Sequence, residues 1–444
     1  NYYFRLSEWS EPLLRWLASS KHANVLADDG ALRSQPPDAS LPTSASIARV
    51  VPESHLASVR TFIEGGLHDI SVSRARATVQ WALPVPGDDT QSIYVWLDAL
   101  ANYLTAALAP EFVGDGELPQ NVPPARLFPA WPADVHVVGK DIVRFHSVYW
   151  PAFCMAAGLE PPRRVCVHGH WTVDGVKMSK SLGNVVAPSQ LIPPAGANTV
   201  DAVRYALLRE GRLEGDSDFS ASVLHQRARA ECADVLGNLV TRCMSPQLLP
   251  SGRLPLVAAG FEPSADGMSV LSALKAEWNA GELELACSLD GAAREVLDAV
   301  DACDVASAAA AVMARLSHAN RVFTASAPWK LKAKPLSSSA SSSSAADAAD
   351  AAAQARRLSS IMYLMLESLR CGGTLLLPVM PHACAALLGR LYGTGHGTAV
   401  GTVRAGTRRT LLQDCFVGGR LPTAYDLSVP PGADASLILF PKLK

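Results

Sequence analysis

The chain has 444 residues, 49% of them hydrophobic, enough for about three domains of ordinary size. Its formal net charge of -2 gives no molecule-wide attraction for nucleic acid, so any such surface has to be a local patch. No uninterrupted apolar run of roughly eighteen residues is present to span a bilayer. The nine scattered cysteines form no C-x-x-C pair, which argues against a zinc knuckle and a disulfide framework.

Residues 6–17 place apolar side chains at 6, 9, 13, 14 and 17, a helical period, with Ser7 as a cap ahead of Glu8 and Glu11. After a polar, proline-bearing connection, residues 52–65 predict a second helix. Ile93-Tyr94-Val95-Trp96 predicts a short strand feeding a helix from about Asp98. Val135-His136-Val137-Val138 predicts a buried strand, followed by a glycine turn and an aromatic helix to about Gly158, and residues 165–171 predict another strand. This order implies an α/β fold with a parallel sheet whose ligands lie at the carboxyl ends of the strands. From about residue 199 the pattern becomes helical, at 199–210, 222–243, 268–301, 304–323 and 357–370, and predicts a bundle. Between Lys334 and Arg356 lies a tract of serine and alanine. Its serine half cannot bury a core and predicts a disordered surface insertion, whereas its alanine half can extend the next helix. Residues 437–440 predict a short final strand.

Lys177-Met178-Ser179-Lys180-Ser181-Leu182-Gly183-Asn184 is the most informative stretch. Two ammonium groups, two hydroxyls and a glycine suit a loop that closes over a transferring phosphate, although a Lys/Ser pentamer by itself also fits a solvated loop. The glycine spacing is not that of a P-loop. Leu100 and Tyr103 share a helix face beside Trp96, which suits a core cluster or a pocket for a thioether, whose sulfur packs well against aromatic edges. Gly139-Lys140-Asp141-Ile142-Val143-Arg144-Phe145-His146 follows a buried strand. Its glycine lets a ligand approach the backbone, and its carboxylate can accept from a ribose hydroxyl or an amino group, or simply cap the helix. His146 fits a core position equally well. His168 and His170 alternate along a predicted strand and share a face, but no third or fourth ligand accompanies them, so no structural zinc is expected. Trp171 suits the core or a wall of the same pocket. Asp234, Asn238 and Arg242 recur every fourth residue and form a polar helical stripe, ordinarily a solvated face. Asparagine and arginine can also read unstacked base edges, with Trp329 as a stacking aromatic.

In this order the blocks resemble the methionyl-tRNA synthetases, a family of class I aminoacyl-tRNA synthetases whose K-M-S-K-S signature matches residues 177–181. The series includes Asn1-Tyr2-Tyr3-Phe4-Arg5-Leu6-Ser7, Asp69-Ile70-Ser71-Val72-Ser73-Arg74, and Trp81 followed by Pro84-Val85-Pro86. It continues through residues 94–103, 138–151 and 168–186 to Asp201-Ala202-Val203-Arg204-Tyr205. The resemblance implies the second half of a Rossmann-type parallel-sheet catalytic domain followed by an α-helical anticodon-binding bundle. The domains expected from it are a re-entry and connecting part at 1–92, the second half of the catalytic domain at 93–198, and a helical stem and anticodon-binding domain at 199–444 with a low-complexity insertion at about 335–355.

By the same resemblance, Trp96, Leu100, Tyr103, Asp141, Phe145 and His146 match the methionine pocket. Gly139, Asp141, His168, Trp171, Lys177, Ser179, Lys180 and Ser181 match the ATP site, with Lys177 and Lys180 the catalytic pair. Asn238, Arg242 and Trp329 match readers of the CAU anticodon. The implied activity is methionine–tRNA ligation, in which methionine is activated with ATP and Mg2+ and transferred to tRNA(Met). The implied protein is a monomer without a membrane span, in the mitochondrial matrix or another organelle, with the cytoplasm as the alternative. Leu100 stands where many members have proline, and Ala82 where glycine commonly follows the tryptophan. Asp234 falls where some members have asparagine and is left out of the anticodon set. No H-I-G-H sequence occurs in the 444 residues, so the chain is expected to be a fragment that carries half an active site and cannot form the adenylate alone. The alternative is a non-catalytic tRNA-binding or regulatory protein derived from a synthetase.

Overall fold

Val165–His168 is the middle strand of a three-stranded parallel sheet, with Val50–Val51 on one side and His136–Gly139 on the other. Val165, Cys166 and Val167 are all buried, as a parallel strand covered on both faces requires. The computed structural model describes residues 1–19, 25–26, 32–33, 48–114, 119, 121–192, 197–249, 268–331 and 345–392. These belong to two units, the first drawn from 1–24, 34–170 and 212–217, and the second from 25–33, 171–211 and 218–444.

In the first unit, helices Ser10–Ala18 and Glu53–Glu64 and the helical segment through Trp150–Ala156 supply Leu13, Leu17, Val59, Ile63 and Ala152 to a core shared with Val50, Val138, Val165 and Val167. Because the strands are parallel and in register, their carboxyl ends fall side by side, and His168 is the registered partner of Gly139. The segment between them begins with a tight turn, Lys140–Ile142, and then widens at Phe145–Tyr149 into a π-helical turn in which the Trp150 N–H reaches back five residues to the Phe145 carbonyl. Pro151 offers no N–H at the next step, which removes one donor from the regular ladder. Such widened turns recur at functional sites.

Two expectations are corrected here. The strand expected at 93–96 lies upstream, at Asp88–Ile93, and pairs antiparallel with Ser73–Ala75 and Pro84–Val85 rather than joining the parallel sheet. Its residues are mostly polar and its pairing is set by backbone bonds, so apolar periodicity does not mark it. The helix then starts at Val95. The strand expected over 165–171 stops at His168. Gly169 explains the break: a Cβ there would stand 1.6 Å from the Gly215 carbonyl oxygen, so two backbones pass in contact at this point.

The second unit is helical. Helices Ala197–Glu210, Ala221–Arg227, Asn238–Cys243, Met268–Ala276, Ala280–Asp301, Val305–Ser326, Ala345–Leu376 and Pro381–Tyr392 bury one continuous core that includes Tyr205, Leu236, Leu239, Leu274, Leu289, Leu316, Phe323 and Tyr363. Residues 228–237 join the second and third of these as a widened helical turn, so the helix expected at 222–243 runs through. The expected helix at 268–301 is broken in two by a capping box. The Asn279 side chain accepts from the Glu282 N–H at 3.0 Å, and the Glu282 carboxylate accepts from the Asn279 N–H at 2.9 Å. The alanine half of the low-complexity tract extends the helix Ala345–Leu376. The serine half and the strand expected at 437–440 lie outside the described residues. Among the described residues, no helix is long and apolar enough to cross a membrane.

Buried charge in this unit is paired. Glu282 is fully buried and takes both arms of the Arg357 guanidinium, at 2.7 and 2.6 Å, together with the Ser326 hydroxyl. Burial would raise its carboxyl pKa, but Arg357, Ser326 and the Asn279 N–H together hold it below the ordinary value. The stabilisation is therefore complete above the ordinary carboxylate range and is lost as pH falls through the depressed value. Glu282→Ala removes the carboxylate that pairs the partly buried Arg357 guanidinium and leaves the Asn279 N–H without its capping partner, so urea unfolding of this variant is expected to show a loss of about 2–3 kcal/mol.

Candidate active site and nucleic-acid interface

Helix Val95–Ala107 in the first unit places Trp96 and Tyr103 opposite the widened turn, and the two pair with consecutive residues of that turn. Trp96 stacks on Phe145 with ring centroids 3.7 Å apart and planes 14° from parallel. The Tyr103 hydroxyl lies 2.8 Å from His146 Nε2, and His146 Nδ1 lies 2.9 Å from the Ile142 carbonyl oxygen. A carbonyl only accepts, so Nδ1 carries the proton, Nε2 is the acceptor and Tyr103 donates. Burial lowers the His146 pKa, partly opposed by the bond to Ile142, which keeps the ring neutral. Leu100 is 1% exposed and packs with Trp150 and Cys154 beneath this aromatic layer.

His136, which the sequence left inside a strand, belongs to the same cluster. Its ring centroid is 4.2 Å from Tyr103 and 5.9 Å from His146, and burial, with His146 close by, pushes its pKa down to about 4. The folded state therefore binds fewer protons than the unfolded state between the ordinary value near 6.5 and about 4. Stability is expected to fall as pH drops through that window, by on the order of 2–3 kcal/mol. His136→Phe should flatten this part of the pH–stability curve, which equilibrium unfolding at stepped pH would read.

At the carboxyl ends of the parallel strands, a Cβ on Gly139 would lie 3.6 Å from His170 Nε2 and 3.8 Å from His168 Cε1. Both imidazoles thus flank the glycine backbone, although His170 lies beyond the end of the strand and not on the shared strand face that was expected. His170 Nε2 is 3.3 Å from Asp141 Oδ2, and the Asp141 side chain is 55% exposed. Gly139, Asp141, His168 and His170 therefore form one polar cluster of the first unit. Among the described residues no group of three or more His, Cys, Asp or Glu is arranged to hold a metal ion. None of the eight described cysteines is in a disulfide.

The lysine loop belongs to the second unit, as does Trp171, whose ring meets Phe219 edge-on at 6.1 Å. The hairpin Trp171–Val173 with Val176–Lys177 leads into the loop, and its turn uses positive φ at Asp174 and Gly175. Asp218 fixes that hairpin by accepting from the Thr172 hydroxyl at 2.7 Å and the Gly175 N–H at 2.9 Å. Within the loop, Asn184 Oδ1 accepts from the Ser179 N–H at 2.8 Å, and its amide donates to the Lys177 carbonyl at 3.3 Å. The Ser179 and Ser181 hydroxyls are 3.0 Å apart, and the Leu182 N–H donates to Ser179 Oγ. Both serines therefore shape the loop, while the Lys177 and Lys180 side chains are exposed.

Farther along the second unit, Arg242 is held rigidly. Its guanidinium donates to the Asn320 carbonyl and side-chain oxygens, each at 3.2 Å, and to the Thr324 hydroxyl at 2.8 Å. It lies 4.3 Å over the Phe323 ring and 5.9 Å from the half-exposed Trp329. Asn238 donates to the same Asn320 oxygen at 3.2 Å. The three expected nucleic-acid contacts thus form one patch, organised by Asn320, which sequence spacing did not single out. Asp234 is exposed and lies 3.9 Å from Arg229.

The class I (M) tRNA synthetase family matches residues 44–244. Human mitochondrial methionine–tRNA ligase is 36% identical over 391 residues, which cover 88% of this chain and 56% of that protein. The Xenopus laevis mitochondrial protein is 35% identical over 450 residues, covering the whole chain and 64% of its relative. A Mycobacterium tuberculosis methionyl-tRNA synthetase, solved with methionyl-adenylate, superposes with a TM-score of 0.67 at 30% identity, over 98% of this chain and 68% of that one. The chain belongs to the methionyl-tRNA synthetase family. The parallel sheet of the first unit and the helical second unit are those of a class I synthetase fold. The chain spans a little over half the length of the human relative.

Proposed function

We propose that the chain acts as part of a methionine–tRNA ligase, which activates methionine with ATP and passes the methionyl group to tRNA(Met). The observation that best supports this is the uncharged aromatic surface made by the Trp96–Phe145 stack and the neutral Tyr103–His146 pair, with the Asp141 carboxylate on the same segment. A polarizable thioether packs favourably on aromatic edges, and a carboxylate suits the amino group of an amino acid or a ribose hydroxyl. Trp96, Tyr103, Phe145 and His146 hold the methionine side chain, Leu100 supports them from beneath, and Gly139, Asp141, His168 and Trp171 contribute to the nucleotide site.

In the first step a carboxylate oxygen of methionine attacks the α-phosphorus of ATP, the bond to the bridging oxygen breaks, and pyrophosphate leaves. ATP brings Mg2+ with it as part of the substrate. Lys177 and Lys180 offset the negative charge that grows on the phosphates, an effect strongest in the transition state. Ser179 and Ser181 keep the loop in the shape that presents them. In the second step a hydroxyl of the terminal ribose of tRNA attacks the carbonyl carbon of the mixed anhydride and AMP departs. Positioning and electrostatics account for the catalysis. Asn238, Arg242 and Trp329 read the anticodon. The protein works as a monomer in the mitochondrial matrix or another organelle, as the mitochondrial relatives suggest, with the cytoplasm as the other compartment.

The test is amino-acid-dependent ATP–pyrophosphate exchange by the native enzyme, followed by charging of tRNA. Methionine alone among the amino acids should support exchange, and a tRNA with a CAU anticodon should be charged. Exchange driven by a different amino acid would overturn the pocket assignment.

A further inference from the structure

We propose that Asp216 is a positioning residue for the nucleotide site, fixing Lys140 and His170 on either side of Asp141. The proposal rests on the ligase reading above for its substrate, and on the geometry of the first unit for the residue. Asp216 lies in the segment 212–217, which belongs to the first unit although it follows the helix Ala197–Glu210 of the second. Its carboxylate takes the Lys140 ammonium with both oxygens, at 2.7 and 2.8 Å, and Oδ1 also accepts from the His170 backbone N–H at 2.8 Å.

The rest of the segment secures this grip. The Ser217 N–H donates to the His170 carbonyl at 2.9 Å, so both backbone groups of His170 are bound within two residues of each other. The Ser217 hydroxyl accepts from the Arg212 N–H at 2.9 Å and closes the segment on itself. The Gly215 carbonyl lies against Gly169, where only glycine leaves room for it.

Lys140 directly precedes Asp141, and the His170 imidazole reaches Asp141 Oδ2 at 3.3 Å while standing over Gly139. One carboxylate thus fixes the neighbour of Asp141 in sequence and its neighbour in space. It also gives the Lys140 charge a defined partner 76 residues away in sequence. Loss of that partner releases an ammonium next to the carboxylate proposed to meet the nucleotide, and it unpins the imidazole beside Gly139. Charge-assisted bonds of this kind are among the stronger ones a partly exposed carboxylate makes. The effect reaches ATP through Lys140 and His170 and leaves the aromatic surface of Trp96, Tyr103, Phe145 and His146 in place.

The experiment is ATP–pyrophosphate exchange by the native enzyme and its Asp216→Ala, Asp216→Asn and Lys140→Ala variants, with ATP and methionine titrated separately. Asp216→Ala is expected to raise the KM for ATP about tenfold or more with little change in the KM for methionine. Asp216→Asn keeps an oxygen for the His170 N–H but loses the charge, and should fall between wild type and alanine. The Asp216→Ala/Lys140→Ala double variant should be no worse than Asp216→Ala alone, since both changes break one pair. An unchanged ATP KM in a folded Asp216→Ala or Asp216→Asn variant would overturn the proposal. Equal rises in both KM values would do the same, because they indicate general loosening. If Asp216→Ala fails to fold, the near-isosteric Asp216→Asn carries the test by the same criteria. Wild-type enzyme that does not exchange with methionine counts against the ligase reading instead, so the two failures are distinguishable.

Discussion

Replacing Lys180 with alanine should slow methionyl-adenylate formation by roughly a hundredfold to a thousandfold, the size of effect seen when one preorganised donor to a developing charge is removed. The loop's own bonds are the reason to expect so much from one side chain. Asn184 holds the Ser179 N–H and the Lys177 carbonyl, and the two serine hydroxyls are engaged with each other and with the Leu182 N–H. The loop is therefore shaped by its serines and Asn184, and its exposed lysine carries the charge. Lys180→Ala removes that charge without touching a bond that shapes the loop, so the loss should fall on kcat, with the KM for methionine nearly unchanged. Ser179→Ala takes a different route, loosening the loop and affecting both lysines less severely. Pyrophosphate exchange at saturating methionine measures both variants. A Lys180→Ala enzyme with wild-type kcat and only a raised ATP KM would show that the lysine contributes ground-state binding alone.

The order of motifs in the sequence carried the α/β character of the first unit, the helical second unit and the family, because each depends on local pattern: apolar strands at 136–139 and 165–168, a glycine turn, and long amphipathic runs. What stayed hidden was of two kinds. The strand Asp88–Ile93 is polar and half exposed, so nothing in its composition separates it from a loop until its antiparallel partners are known. The break at Asn279 was readable in principle, since Asn279 and Glu282 have the spacing of a capping box, but the apolar period on either side masked it.

The site residues divide in the same way. Trp96, Tyr103, Phe145 and His146 are grouped by the resemblance to the family, since the helical face and the glycine turn do not by themselves connect the two segments. His136, Asn320 and Asp216 are not, because each acts on residues that the fold brings together from far along the chain. Asp216 reaches Lys140 across 76 positions, and Asn320 reaches Arg242 across 78. His136 alternates with Val137 in an apolar strand and reads as core, which by burial it is. Only its distances to Tyr103 and His146 tie it to the candidate pocket.

Arg242→Ala is expected to reduce charging of a CAU-bearing tRNA by about tenfold to a hundredfold, the range that follows from losing one base contact or stacking partner worth about 1–3 kcal/mol. The guanidinium is already immobilised by Asn320 and Thr324 and backed by the Phe323 ring, so little conformational entropy remains to be lost when a base arrives. Arg242→Lys separates charge from geometry. An ammonium keeps the positive charge but cannot reach the Asn320 and Thr324 oxygens in one plane while lying flat on Phe323, so lysine should behave nearly as poorly as alanine. Asn320→Ala, at a residue not itself proposed to meet a base, should reproduce part of the defect by freeing both Asn238 and Arg242. In all three variants methionine-dependent pyrophosphate exchange should stay at the wild-type rate, because that step uses neither the patch nor tRNA. The defect should also be confined to the anticodon: a tRNA already mutated away from CAU should be charged as slowly by the wild type as by Arg242→Ala. If Arg242→Ala instead slowed charging of both tRNAs by the same factor, the residue would be holding the backbone or the bundle, and the patch would not be a reader of bases.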